Sequence, residues 1–220
     1  MLIFMAVLIM LIVAYAQCRE GVFTSATLCA NVVLAGVLTF YFWEPLADVL
    51  GDLFAGGMLA GYEDALVLTV LFSCFVIMLR MAVNKLVPQA VYFPGYEQQV
   101  GGSLFGLVSG YLVAGFLLCV LQTLPWHENF LTFAPRSDGE TALRSYLPPD
   151  RVWLALMRHA GAVPLAWKVE RDDENPFDRY GTFDGAGTFE LRYLRYRRHG
   201  DKREALPYEG ELDRELGKKS

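Results

Sequence analysis

Twenty-five consecutive residues, Val100–Leu124, carry no charged side chain. A helix rises 1.5 Å per residue and a bilayer's hydrocarbon core is about 30 Å thick, so roughly 20 apolar residues suffice to cross it. Three more apolar runs precede this one: Met1–Ala16, Val22–Trp43, and Ala65–Leu79, which continues through Arg80 to Val83. The second and third runs are long enough to span, and the first is marginal. The spacing therefore predicts four membrane helices. The first run ends on Ala14-Tyr15-Ala16, which resembles a signal-cleavage site, but no basic residue precedes Arg19 as a secretory leader requires. A lipoprotein signal is excluded as well, because Gln17 stands before Cys18 where a small residue is needed. A retained first helix is expected.

The charges divide the chain in two. Met1–Pro125 holds three Lys/Arg and seven Asp/Glu, and Trp126–Ser220 holds the other sixteen and seventeen, giving net charges of −4 and −1. With a mean hydropathy of +0.31, this describes a membrane domain over residues 1–125 and an extramembrane tail over 126–220. A near-neutral tail argues against nucleic acid as a partner.

The run boundaries fit a membrane setting. Tyr41 and Trp43 precede Glu44-Pro45, Tyr62 stands beside Glu63-Asp64, and Trp126 follows Pro125. Four spans would put all these rings on one side, at headgroup level. Asp64 is placed to cap the third helix, Arg80 and Lys85 suit its C-terminal dipole, and Pro88 would stop it. Arg19 lies in the first loop, Arg80 and Lys85 flank the third, and Ala47–Asp64 has no basic residue. The positive-inside bias then puts loops one and three in the cytoplasm and the tail outside, although Arg136 and Arg144 pull the other way. In the second loop, Leu46, Val49, Leu50 and Leu53 follow the i, i+3, i+4, i+7 pattern of an amphipathic helix lying in the interface. The acidic residues nearby (Asp48, Asp52, Glu63, Asp64) read as a solvated face plus a cap, since calcium loops need closely spaced oxygen ligands.

Within the fourth run, Gly102, Gly106 and Gly110 recur every fourth residue and Ala114 continues the row. Glycine costs a helix about 1 kcal/mol relative to alanine. Lipid tails are as apolar as leucine, so membrane helices associate through close packing, and small residues four apart let two backbones approach. The ladder predicts tight helix packing, with the second or third helix as the natural partner and a homodimer as a further option. Ser103 and Ser109 could hydrogen-bond nearby.

These segments carry a family resemblance. "GGSLFGLVSGYLVAGFLLC" is similar to the glycine-rich last membrane helix of the colicin V production protein (CvpA) family. "CREGVFTSATLCANVVLAGVLTFYFWEPLADVL" resembles that family's second helix. The resemblance covers about residues 1–125. It implies a bacterial inner-membrane protein of about four spans, linked by name to export of a peptide toxin. A similar domain also anchors an extracytoplasmic serine protease in some bacteria. The family's Asp-Arg pair and Leu-Arg-Gly step are replaced here by Val100-Gly101 and Ser109-Gly110, so no role is carried over from those charges.

The tail offers no catalytic constellation. His127, His159 and His199 lack metal-ligand spacing, and His127-Glu128 has no second histidine four residues on. No Gly-x-Ser-x-Gly occurs, and Ser137, Ser145 and Ser220 stand in no nucleophile motif. Cys18, Cys29, Cys74 and Cys119 lie in or beside apolar runs, where cysteine behaves as a small core residue. No cofactor, metal or catalytic residue is predicted. Thr24, Thr27 and Asn31 share one face of the second helix and could line a solute path or join helices by hydrogen bonds. No Asp, Glu, Lys or Arg is expected at mid-membrane depth, which argues against an autonomous transporter.

In the tail, "PPDRVWLALMRHAG" predicts a helix with Asp150 as N-cap and one apolar face of Trp153, Leu156, Met157 and Ala160. "TFELRYLRYRR" alternates like a strand, with Phe189, Leu191 and Tyr193 on one side and arginines that could grip anionic headgroups. From Gly200 on, the charged run reads as disordered. So few apolar residues make a weak independent core, and the tail is expected to lean on the membrane domain.

The expected fold is therefore all-α and integral to the membrane: four transmembrane helices plus an interfacial helix, with a small α+β or partly disordered C-terminal tail. The expected partners are the bilayer and other membrane proteins, with a homo-oligomer as one arrangement. Two functions fit: a non-enzymatic inner-membrane protein supporting secretion, transport or envelope assembly, or an anchor whose tail binds an extracytoplasmic partner.

Overall fold

A single residue, Gly21, separates the first helix from the second. The computed structural model describes residues 2–54, 61–87, 96–125 and 148–162, with Phe189 and Tyr193. It contains α1 (Leu2–Glu20), α2 (Val22–Phe54), α3 (Glu63–Leu86), α4 (Tyr96–Thr123) and α5 (Pro149–Ala162). Gly21 has φ +89°, a left-handed conformation that glycine adopts without a Cβ penalty. The turn is pinned from inside: the Ser25 hydroxyl donates to the carbonyl of Gly21 at 2.8 Å and lies 3.0 Å from the Gln17 amide oxygen.

Although α1 and α2 are consecutive, α1 packs almost entirely on α4. Gly102 meets Gln17 and Gly21, Gly106 meets Ala14 and Gln17, and Gly110 meets Met10. Ala114 and Leu118 close the pairing against Ala6. Numbers fall on one helix as they rise on the other, so the two run antiparallel. α2 runs parallel to α4, with Val22 beside Gly101 and Phe40 edge-on to Phe116. α3 runs antiparallel to α2, with Glu63 near Gly51 and Phe75 near Phe42. The bundle is a row of α1, α4, α2 and α3, and α5 sits in the groove between α2 and α4.

Three described stretches are long and apolar enough to cross a membrane: Val22–Trp43, Glu63–Leu86 and Tyr96–Thr123. The Gly21 turn, the C-terminal part of α3 and the start of α4 meet at one end. There Arg80 donates to Glu20 at 3.2 Å, and the Gln98 side chain lies against Gly21. An up-and-down arrangement requires this.

Several expectations change. The amphipathic second loop is no separate interfacial helix, because α2 continues through Pro45 to Phe54. A proline inside a helix removes the hydrogen bond to the carbonyl four residues back and its ring crowds that carbonyl, but Pro45 is on the exposed side of α2 and the packed residues on either side carry the helix through it. Beyond it Leu46 and Val49 are exposed, while Leu50 packs on the core. Trp43 is not a headgroup ring: it is 2% exposed and part of the core. Asp64 is the second residue of α3, after Tyr62 as N-cap, and is itself buried. Asp150 is likewise inside α5 rather than its cap.

No strand occurs among the described residues. Phe189 and Tyr193, expected on a strand, are helical and both buried. Their spacing of four places two rings on one helical face as readily as on one strand face, and burial against Trp43 and Phe40 selects the helix. Trp126, Pro88, His127, His199 and the run from Gly200 lie outside the described residues.

Candidate functional site

The glycine ladder is filled from within the chain. An added Cβ at Gly102 would lie 2.9 Å from the Gln17 carbonyl oxygen. At Gly106 it would lie 2.8 Å from Gln17 Cβ and 2.9 Å from Ala14 Cα. At Gly110 it would lie 2.8 Å from Met10 Cα. These neighbours are largely backbone atoms, so α1 rests on the bare spine of α4. Ala114, with no exposed surface, continues the seam to Ala6. The partner is α1, not the second or third helix expected from sequence. α1 is the least obvious span, yet Ala6, Met10, Ala14 and Gln17 form the matching row. The seam is joined by packing and not by hydroxyls: Ser103 and Ser109 donate to Gln99 and Phe105, one turn back on α4, each at 2.8 Å.

The polar positions of α2 behave similarly. Thr27 donates to the Thr24 carbonyl at 2.9 Å, and both residues are half-buried, whereas Asn31 is 7% exposed. Self-bonded hydroxyls are a low-cost way to carry threonine in an apolar helix. Deeper in α2, Thr39 does the same to Ala35 at 2.7 Å.

The second candidate region is the seat of α5. Its inner face of Trp153, Leu154 and Met157 is buried, as the predicted apolar stripe requires, and Leu156 and Ala160 pack at its edge. Trp153 is wholly buried among Phe40, Phe72 and Phe116, with ring centroids 6.5, 6.1 and 5.8 Å away. Phe72 and Phe116 stack at 3.9 Å beneath it. Two glycines not singled out by sequence make the notch. A Cβ at Gly36 would sit 2.5 Å from the indole and 2.8 Å from the Met157 sulfur. One at Gly115 would collide with the Pro149 carbonyl and lie 2.9 Å from Trp153 Cβ. The available signal was a glycine on each of two apolar helices plus a tryptophan-bearing amphipathic helix in the tail. Gly36 and Gly115 form no repeat, so neither stands out from its apolar run.

α5 also carries a carboxylate into the bundle. Asp150, 4% exposed, accepts 2.8 Å from the Gln122 amide, which is 3% exposed. The Cys119 thiol donates to the Asp150 carbonyl at 3.7 Å. No apolar run contains Asp150, so run-by-run reading of charge could not place it among the spans. Asp150 lies in the first turn of α5, where the helix dipole favours a negative charge.

Glu63 accepts from the Gly61 amide at 2.6 Å, and the side chains of Asp48 and Asp52 lie outside the described residues. Among the described residues no cluster of three or more His, Cys, Asp or Glu could hold a metal ion. His159 is exposed on α5.

Compared with known proteins, residues 3–137 match a family model described as colicin V production protein. No curated protein and no solved structure matches.

Proposed function

Because this chain belongs to the colicin V production protein family, we propose that it is a four-span protein of the bacterial inner membrane that supports secretion, transport or envelope assembly by associating with other membrane proteins, without catalysing a reaction. α1 is the fourth span in this reading, and the tail emerges on the extracytoplasmic side.

The observation that carries the reading is the bareness of α3. Only 17% of its apolar window is buried, against 56% of that of α4. Leu66, Val70, Ile77, Met78 and Met81 are all exposed along it. The ladder, already occupied by α1, is closed to partners. A second protein would therefore meet α3. Thr24, Thr27 and Asn31 serve as internal joints of α2.

The test is photocrosslinking in the native membrane from a reactive residue placed at Ile77, with one at Leu11 on the exposed face of α1 for comparison. Partners captured from Ile77 and absent from Leu11 are expected. Lipid adducts alone from both positions would defeat the assembly reading.

A further inference from the structure

The side of α1 turned away from α4 is an apolar stripe that ends in an arginine. Phe4, Leu8, Leu11, Ile12 and Tyr15 are all exposed along it, and Arg19, one turn beyond Tyr15, is exposed as well. The Arg19 guanidinium lies over the Tyr15 ring, 5.5 Å from its centre, and donates to the ring's hydroxyl at 3.4 Å. The adjacent acid, Glu20, is engaged by Arg80 at 3.2 Å. Glu97, in the first turn of α4, is the other acid at this end. Arg19 makes no ion pair with either among the described residues. Gln17 packs on Gly102, so Arg19, two residues further along α1, stands level with Val100, where the charge-free run of α4 begins. The guanidinium is therefore held at the edge of the bundle's apolar length, directly above a strip of exposed aliphatic side chains.

Resting on the membrane reading above, we propose that Arg19 and Tyr15 bind the headgroup phosphate of an anionic phospholipid whose acyl chains lie along the exposed stripe of α1. A guanidinium presents five N–H groups in a planar fork that matches phosphate oxygens two at a time, and only one is directed at Tyr15. The ring beneath it is a cation–π platform that fixes the direction of the fork. Tyrosine favours headgroup level, and anionic lipids of the cytoplasmic leaflet attract basic residues there. A free phosphate ion would use the fork and leave the stripe bare. A lipid engages both, with Leu8, Leu11 and Ile12 beside its chains.

The test is native mass spectrometry of the full chain in detergent, offered phosphatidylglycerol and phosphatidylcholine together. Wild type should retain phosphatidylglycerol in preference. Arg19→Gln should lower that preference about fivefold, the worth of one basic residue at an anionic surface, and Tyr15→Ala should lower it by a smaller factor. Lys85→Gln, which removes an exposed charge in the last turn of α3, should leave it unchanged. Both arginine and tyrosine are exposed, so the bundle should fold in every variant. An unchanged preference in Arg19→Gln overturns the site. An equal loss in Lys85→Gln overturns it too, since the attraction is then diffuse. Displacement of the lipid by excess inorganic phosphate overturns lipid as the occupant. A chain that stays dispersed without detergent or lipid defeats the membrane reading itself.

Discussion

Replacing Gly106 by isoleucine should separate α1 from α4. The first added carbon would lie 2.8 Å from Gln17 Cβ and 2.9 Å from Ala14 Cα, where carbon atoms prefer about 3.5–4.0 Å. Even alanine therefore asks the helices to part by ~0.7–1 Å, since Ala14 Cα is backbone and cannot rotate away. A gap of that size forfeits about a quarter to a half of each contact's attraction. The loss spreads to Gly102 and Gly110, because a rigid helix cannot move at one level alone. Alanine recovers up to about 1 kcal/mol of helix propensity, which partly offsets the strain. Isoleucine adds three further carbons with no space to enter. Overpacking typically costs about 1–3 kcal/mol, and Gly106→Ile is expected at the upper end, with Gly106→Ala well below it. Unfolding by sodium dodecyl sulfate in mixed micelles, followed through the buried Trp43 and Trp153, would measure both. Leu104→Ile, at a position 61% exposed on the same helix, is the control. An isoleucine variant within about 0.5 kcal/mol of wild type, the usual range for surface changes, would refute the seam.

The same titration tests the other features. Trp153→Ala should cost about 3–5 kcal/mol, the range for emptying an aromatic core site, and Gly36→Leu should expel the indole with a comparable loss. Removing residues 126–220 should be destabilising for the same reason, since it takes α5 with it. Glu20→Gln should change stability by less than about 1 kcal/mol, because the pair with Arg80 is 45% and 43% exposed and solvent screens it. In detergent, a maleimide should modify Cys74, which is exposed, and spare the buried Cys119 until the bundle unfolds.

The spans were readable because composition decides them. Val22–Trp43, Glu63–Leu86 and Tyr96–Thr123 are apolar over a membrane's thickness, and lipid leaves the backbone no option but the helix. The ladder was visible as a groove, but its occupant was not. A stripe of small residues states that something approaches closely. It does not state what, and α1 announces itself only by Ala6 and Ala14 among larger side chains. At Pro45, and at Phe189 and Tyr193, local preference is outweighed by packing: the lost bond and the ring–carbonyl crowding of an exposed proline do not end α2, and two rings four apart fit either secondary structure. Asp150 escaped because its depth is set by Trp153, a contact between segments remote in sequence. Gly36 and Gly115 could be recognised only once that tryptophan was seated between them.

The pairing of α1 with α4 has a consequence for how the chain is made. Met10 leaves the ribosome a hundred residues ahead of Gly110, its eventual neighbour. At the usual pace of about 5–20 residues per second, the first helix waits roughly 5–20 s without its mate, held to α2 by the Gly21 elbow and the contact of Ser25 with Gln17. Nascent chains arrested before residue 100 should therefore leave that helix available to insertion factors or proteases.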